Sequence, residues 1–180
     1  MSVWSRPCST AGDAVMTRLY QTARGAERIL LCPLSANPFR YFSLYSLLVP
    51  GLRTGDIVQV SGQLEVTNEL AKKYSDPLIN VMLAHFLVRS EAMPPVEIPR
   101  DPLPGPLIAP AFGAGENVSP DEHHGYRSLG GAFEADQDGD VWVTLAIYAG
   151  AGNRTRPGDT LDVMQRYGGL SALVLPVAAS

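Results

Sequence analysis

Arg53-Thr54-Gly55-Asp56 leads into Ile57-Val58-Gln59-Val60-Ser61-Gly62-Gln63-Leu64-Glu65-Val66-Thr67, and this stretch decides the fold class. Its first four residues read as a polar turn, because Gly55 tolerates positive φ and Asp56 can accept from nearby backbone amides. The run that follows alternates. Val58, Val60, Leu64 and Val66 fall on one face with Gly62 between them, while Gln59, Ser61, Gln63, Glu65 and Thr67 fall on the other. Side chains alternate across a strand, so this one packs on a core with one face and meets water with the other. Gly62 marks a bulge or a close neighbour. The same phrase returns later in the chain, where Arg154-Thr155-Arg156-Pro157-Gly158-Asp159 opens Thr160-Leu161-Asp162-Val163. Two such lead-ins, with no helical stretch between them, predict an all-β antiparallel sandwich.

Further strand-like runs lie on either side. Residues 28–32 end at Pro33, and residues 41–49, rich in aromatics, stop at Pro50-Gly51. Residues 78–88 are almost continuously apolar and suit a central strand covered on both faces, a buried helix being the alternative. Residues 126–135 and 140–149 flank Asp138-Gly139, expected as a hairpin turn; 160–167 and 170–177 flank Gly168-Gly169, expected as another. Within 140–149, Val141, Val143, Leu145 and Ile147 are expected inside, against Trp142, Thr144 and Tyr148 outside. Seven prolines lie between Pro94 and Pro110. Proline cannot donate to a ladder, so residues 91–120 are expected to form a long extended crossover. About eight strands with such a crossover define a jelly-roll or Greek-key sandwich. Residues 27–180 would form this single domain. Residues 1–26 carry little period-2 pattern and read as an N-terminal arm or edge segment, with 13–20 a short helix or an edge strand.

Composition narrows the function classes. A 180-residue chain, 46% hydrophobic, can bury one good core. Its formal charge of −4 repels phosphate backbones, which argues against nucleic acid as a partner. The N-terminus lacks the apolar core of a signal peptide, and no apolar run reaches the ~20 residues of a membrane span. Cytoplasmic folding is therefore expected, and the sequons at Asn117 and Asn153 read as chance matches. Cys8 and Cys32 are too few for a disulfide scaffold and are expected as reduced thiols, one bridge being the alternative.

Chemical motifs are sparse. Asp121-Glu122-His123-His124 is the one dense titratable group, and imidazoles with carboxylates can hold a transition metal. Adjacent residues on a strand point to opposite faces, however, so His123 and His124 do not naturally chelate one ion. Metal-binding cupin jelly rolls also need a later His, and none follows His124. Asp121, His123 and His124 remain the residues of a weaker alternative, a metal-dependent jelly-roll enzyme. Asp136-Gln137-Asp138-Gly139-Asp140 departs from an EF-hand loop, since its Gly comes too early and Ile147 stands where the closing Glu belongs. No Gly-x-Ser-x-Gly elbow or phosphate-binding glycine loop is present. His85, in the most apolar run, reads as a core histidine. Trp142 and Tyr148 share one face and can form a sugar-stacking platform, or else be covered by a neighbouring subunit. The residues thus predict a non-enzymatic protein with no cofactor.

Three phrases carry a resemblance: Gly115-Glu116-Asn117-Val118-Ser119-Pro120-Asp121-Glu122-His123-His124, Gly168-Gly169-Leu170-Ser171-Ala172-Leu173-Val174-Leu175 and Glu65-Val66-Thr67-Asn68. Over roughly residues 55–177 the chain resembles accessory virion proteins of tailed bacteriophages, among them minor tail, head-decoration and spike components. The resemblance implies a structural or adhesive role in a particle assembled in the host cytoplasm. It implies partners among other virion proteins and further copies of the chain, in homo-oligomers expected to be trimers. Host surface glycans are the alternative ligand, through Trp142 and Tyr148. No residue's role carries over from it.

Overall fold

The computed structural model describes residues 17–22, 28–33, 40–67, 79–98, 103–118, 124–151 and 160–177. Among these residues ten strands run in chain order: β1 (Arg18–Gln21), β2 (Arg28–Pro33), β3 (Arg40–Leu52), β4 (Ile57–Thr67), β5 (Ile79–Ser90), β6 (Glu97–Ile98), β7 (Leu107–Val118), β8 (His124–Glu134), β9 (Gly139–Ala151) and β10 (Thr160–Leu175). One sheet has the order β1-β10-β4-β8, with β2 also on β10; the other has the order β6-β3-β9-β5-β7.

The pairings are nested. β10 pairs with both β1 and β2, β9 with β3, β8 with β4, and β7 with β5, all antiparallel. β1 and β2 take successive stretches of β10, so together they act as one interrupted strand. The chain is therefore a long antiparallel ribbon rolled so that successive ladders fall in alternate sheets. The β10–β4 and β9–β5 ladders close each sheet. This is the eight-strand jelly roll, with β6 added at one edge.

Alternation in β4 places Val58, Val60 and Leu64 in the main core, beside Val49, Val143, Leu145, Ile147, Ala172 and Val174. Gly62 is a close-approach site: a Cβ there would stand 3.1 Å from Leu145 and 3.4 Å from Leu87. Residues 91–98 and 103–106 build a second core on the outer face of the β3–β9–β5 sheet. Phe86, Val88, Ile98 and Ala146 are buried there, with Tyr41 and Leu103 packed against them. Ser43 fastens this segment, its N–H donating to Val96 O and its hydroxyl to Pro95 O, both at 2.8 Å. On this covered face the outward Thr144 is fully buried, its hydroxyl 2.9 Å from that of Ser46. It also explains a β5 whose residues 85–88 are buried on both faces.

Three local expectations change. Asp138-Gly139 is no hairpin, because β8 and β9 lie in different sheets; Gly139, at φ 137°, turns a corner between layers. Residues 160–175 form one strand rather than a hairpin about Gly168-Gly169. Both halves pair with β4 in the same sense, and the glycines sit beside a bulge where the register slips between Met164 and Gly169. The crossover within 91–120 is shorter than expected, since Leu107–Val118 is a full strand along β5. Pro110 is accommodated because β7 is the last strand of its sheet among the described residues, where a missing N–H can face outward.

Candidate functional site

The β3–β4 corner (residues 53–56), the β8–β9 corner (residues 135–138), the start of β1 and the end of β10 meet at one end of the sandwich. Asp56 joins them. It is 2% exposed and accepts from Arg53 N–H at 3.0 Å, which closes the turn expected from sequence. Its other carboxylate oxygen accepts from Val177 N–H at 3.3 Å, and the Arg18 guanidinium stands 3.4 Å away. Arg18 also donates to Pro50 O and Gly51 O, each at 3.1 Å. One buried carboxylate thus ties the first strand, a corner and the chain's last described residue together.

The second corner is laced to the first. Thr54 donates its N–H and its hydroxyl to Asp138 Oδ1 at 2.8 and 2.9 Å, and Gly51 N–H donates to Asp140 Oδ1 at 2.9 Å. The Thr54 bonds, backbone first, hold the Asp138 carboxyl below the usual carboxylate range. Arg89 makes two bonds to Asp136, at 3.2 and 2.9 Å, and these depress that carboxyl too. The Arg89 guanidinium lies 5.3 Å from the centre of the Phe133 ring. Asp136 and Asp138 are thus engaged with donors that favour their charged forms, an arrangement that fastens loops rather than moves protons.

Nearby, Arg89, Met93, Pro94, Pro104, Pro106 and Asp136 border an open, largely apolar depression of about 540 Å³. Across the outer face of the other sheet, Gln21, Ser61, Gln63, Gly169 and Ser171 line an uncharged one of about 360 Å³. In the core, the Tyr45 hydroxyl finds no hydrogen-bond partner among the described residues, and burial pushes its pKa up to about 12. Among the described residues no group of three His, Cys, Asp or Glu is placed to hold a metal, and no helix is long and apolar enough to cross a membrane.

The residues singled out from sequence are dispersed. Trp142 is half-buried on the outer face of its sheet, its backbone between those of Leu48 and Ser90. Tyr148 is placed on β9 by its backbone, paired with Tyr41 and Ala84. His124 begins β8 opposite Thr67, while Asp121 and His123 lie outside the described residues, as do Cys8 and the second Gly-Asp phrase at 154–159. His85 is buried. Sequence reasoning missed Asp56 as a junction, since its partners Arg18 and Val177 are distant in the chain. It also missed the edge of β8, which no strand pairs among the described residues. The signal for that edge was the charge-free run Ser128-Leu129-Gly130-Gly131-Ala132-Phe133.

Fold and site together define a jelly-roll module whose polar groups serve its own corners. The fold is similar to that of a chain in the structure of the infectious bursal disease virus Gx strain, with a TM-score of 0.56 at 11% identity over 96% of this chain and 38% of that one. A chain of the T13 IBDV viral particle gives 0.51 at 10% identity, over 94% of this chain and 35% of that one. The Gt strain gives 0.51 at 9% identity, over 96% and 37%. This chain thus spans little more than a third of the length of the chains it matches. Neither a family model nor a curated protein matches the sequence. At these identities the likeness is one of fold: a jelly roll of the kind found in chains of viral particles.

Proposed function

We propose that this chain is a structural, non-enzymatic component of a virus particle that assembles with further copies of itself and with other virion proteins. The observation that carries this reading is the extent of the likeness. The whole β1–β10 roll, rather than a fragment, superposes on chains from an icosahedral virus. The corner chemistry supports it, because the acids are spent on rigidity at one end of the roll. The finer assignment, to the head decoration, spike or tail accessory proteins of a tailed bacteriophage with trimers as the unit, rests on the phrases at 65–68, 115–124 and 168–175. Light scattering across a range of concentrations tests the reading. A homo-oligomer of fixed mass that associates with purified particles is expected. A monomer at every concentration, absent from particles, would overturn it.

A further inference from the structure

We infer that β8 is an assembly edge, pairing antiparallel with β8 of a second copy about a two-fold axis at Gly130, so that one sheet runs through both subunits. The hydrogen-bond phase of the sheet shows which groups are available. Thr22 N–H donates to Leu170 O at 2.9 Å and Leu170 N–H to the Thr22 hydroxyl at 3.0 Å, so residue 170 faces β1. Backbone polarity alternates along a strand, which turns 169, 171 and 173 toward their partners 63, 61 and 59 on β4. Positions 58, 60, 62 and 64 of β4 then face β8 and engage 133, 131, 129 and 127. The Ala135 N–H to Asp56 O bond of 2.8 Å at the end of this ladder has the same phase. The N–H and C=O groups of 128, 130, 132 and 134 therefore point away from β4. Among the described residues no strand pairs with them.

Long edge strands are ordinarily guarded by Lys, Pro or inward charges. This one presents Ser128, Gly130 and Ala132, all exposed, with no charge from 128 to 133. The neighbouring outward residues Gln59, Ser61 and Gln63 are also uncharged. An isologous contact sets a patch against itself, so any net charge at the axis would be repelled, and a neutral small-residue edge suits a second copy. The register follows: 130 meets 130, 128 meets 132 and 126 meets 134. Each is a pair whose amides already point outward, about ten hydrogen bonds in all. Residues 1–16 are the poorer occupant, since Pro7 lacks an N–H and the segment has no alternating run.

This inference rests on the assembly reading above, and one swap separates the two. S128K/A132K sets like charges directly opposite one another in this register, whereas S128E/A132K sets opposite charges there and in no other register. Both substitutions sit on the outer face and leave the bonds to β4 in place. The whole 180-residue chain is examined by light scattering, with melting temperature as the check on folding. Wild type is expected at an even multiple of the chain mass, six where two trimers join through β8; S128K/A132K should halve that mass, and S128E/A132K should restore it. Gly130→Pro, which removes an outward N–H rather than one bonded to β4, should also halve it. An odd-numbered oligomer, or an assembly whose mass the Lys pair leaves unchanged, overturns the β8 pairing and leaves the particle reading standing. A pair split by S128K/A132K that never associates with particles upholds the pairing and overturns the particle reading. A wild-type monomer overturns both.

Discussion

Replacing Asp56 by Ala tests whether a buried carboxylate, rather than the corner turns themselves, holds the end of the sandwich. The substitution removes the acceptor for Arg53 N–H at 3.0 Å and Val177 N–H at 3.3 Å, and the partner of Arg18 at 3.4 Å. Hydrogen bonds to a charged group contribute about 1.5–3 kcal/mol each when well made. The Arg18 contact is long and that side chain is 32% exposed, so it falls nearer the ~0–1 kcal/mol of surface pairs. Arg18 also keeps its bonds to Pro50 and Gly51. The two amides therefore dominate, and the Val177 bond is the weaker of them. The sum is a loss of about 2–4 kcal/mol for Asp56→Ala. Arg18→Ala should cost about 1 kcal/mol or less, and Asp56→Asn, which retains one acceptor oxygen, should fall between. At about 2–4 °C per kcal/mol for a domain of this size, Asp56→Ala should melt roughly 5–15 °C below wild type. Urea unfolding at unchanged m-value reads the difference directly. A loss below about 0.5 kcal/mol, or an Arg18→Ala variant less stable than Asp56→Ala, would refute the reasoning.

Other consequences follow from the same structure. Tyr45→Phe removes a buried hydroxyl without a described partner, and is expected to leave stability unchanged or raise it by up to about 1 kcal/mol in urea unfolding. Because burial lifts the Tyr45 pKa from 10.0 to about 12, its contribution is full below pH 10 and is lost as pH rises through 12. Tyr45→Phe should accordingly lessen alkaline unfolding, followed by circular dichroism. A Cβ at Gly168 would run into the Tyr45 hydroxyl and stand 2.9 Å from Gln63 O, so Gly168→Ala should cost about 1–3 kcal/mol, part of it recovered in combination with Tyr45→Phe. Asp136 and Asp138 are depressed by their donors. Their contribution is present above the ordinary carboxylate pKa and is lost as pH falls through their lowered values, so a D136N/D138N variant should show a shallower acid limb in melting temperature against pH.

Much of the roll is legible from single strands. In β4 and β9 the inward sets Val58, Val60, Leu64 and Val143, Leu145, Ile147 are what period-2 alternation specifies, because one buried face fixes every second side chain. The turn at Gly55-Asp56 is equally local: φ of 92° at the glycine and the Arg53 amide on the carboxylate lie within four residues. Misreadings arose where a local signal has two outcomes. Asp-Gly at 138–139 serves a hairpin or a corner, and only the partners of β8 and β9, which are β4 and β3, decide between them. Gly-Gly at 168–169 serves a turn or a bulge, and here the Tyr45 hydroxyl occupies the space that a side chain would need. The outward Thr144 is buried on the face where Ile98 and Leu103 pack, a cover that alternation within β9 does not report.

The candidate site was legible to a smaller degree. His124, Trp142 and Tyr148 stand out by residue type, but type says nothing of what lies opposite, and they are spread along β8 and β9. The edge of β8, unpaired among the described residues, carries no unusual residue, and its significance is that nothing charged guards it between Arg127 and Glu134.

By itself the sequence determined the sandwich, the faces of its strands and the polar turn at 53–56, since each follows from interactions within a few residues. Only the tertiary structure decided the order of the strands, the junction at Asp56 and which amides are left facing outward. Those depend on pairings between residues as far apart as Arg18 and Val174, whose closure is set by how the whole ribbon rolls to bury both inner faces at once.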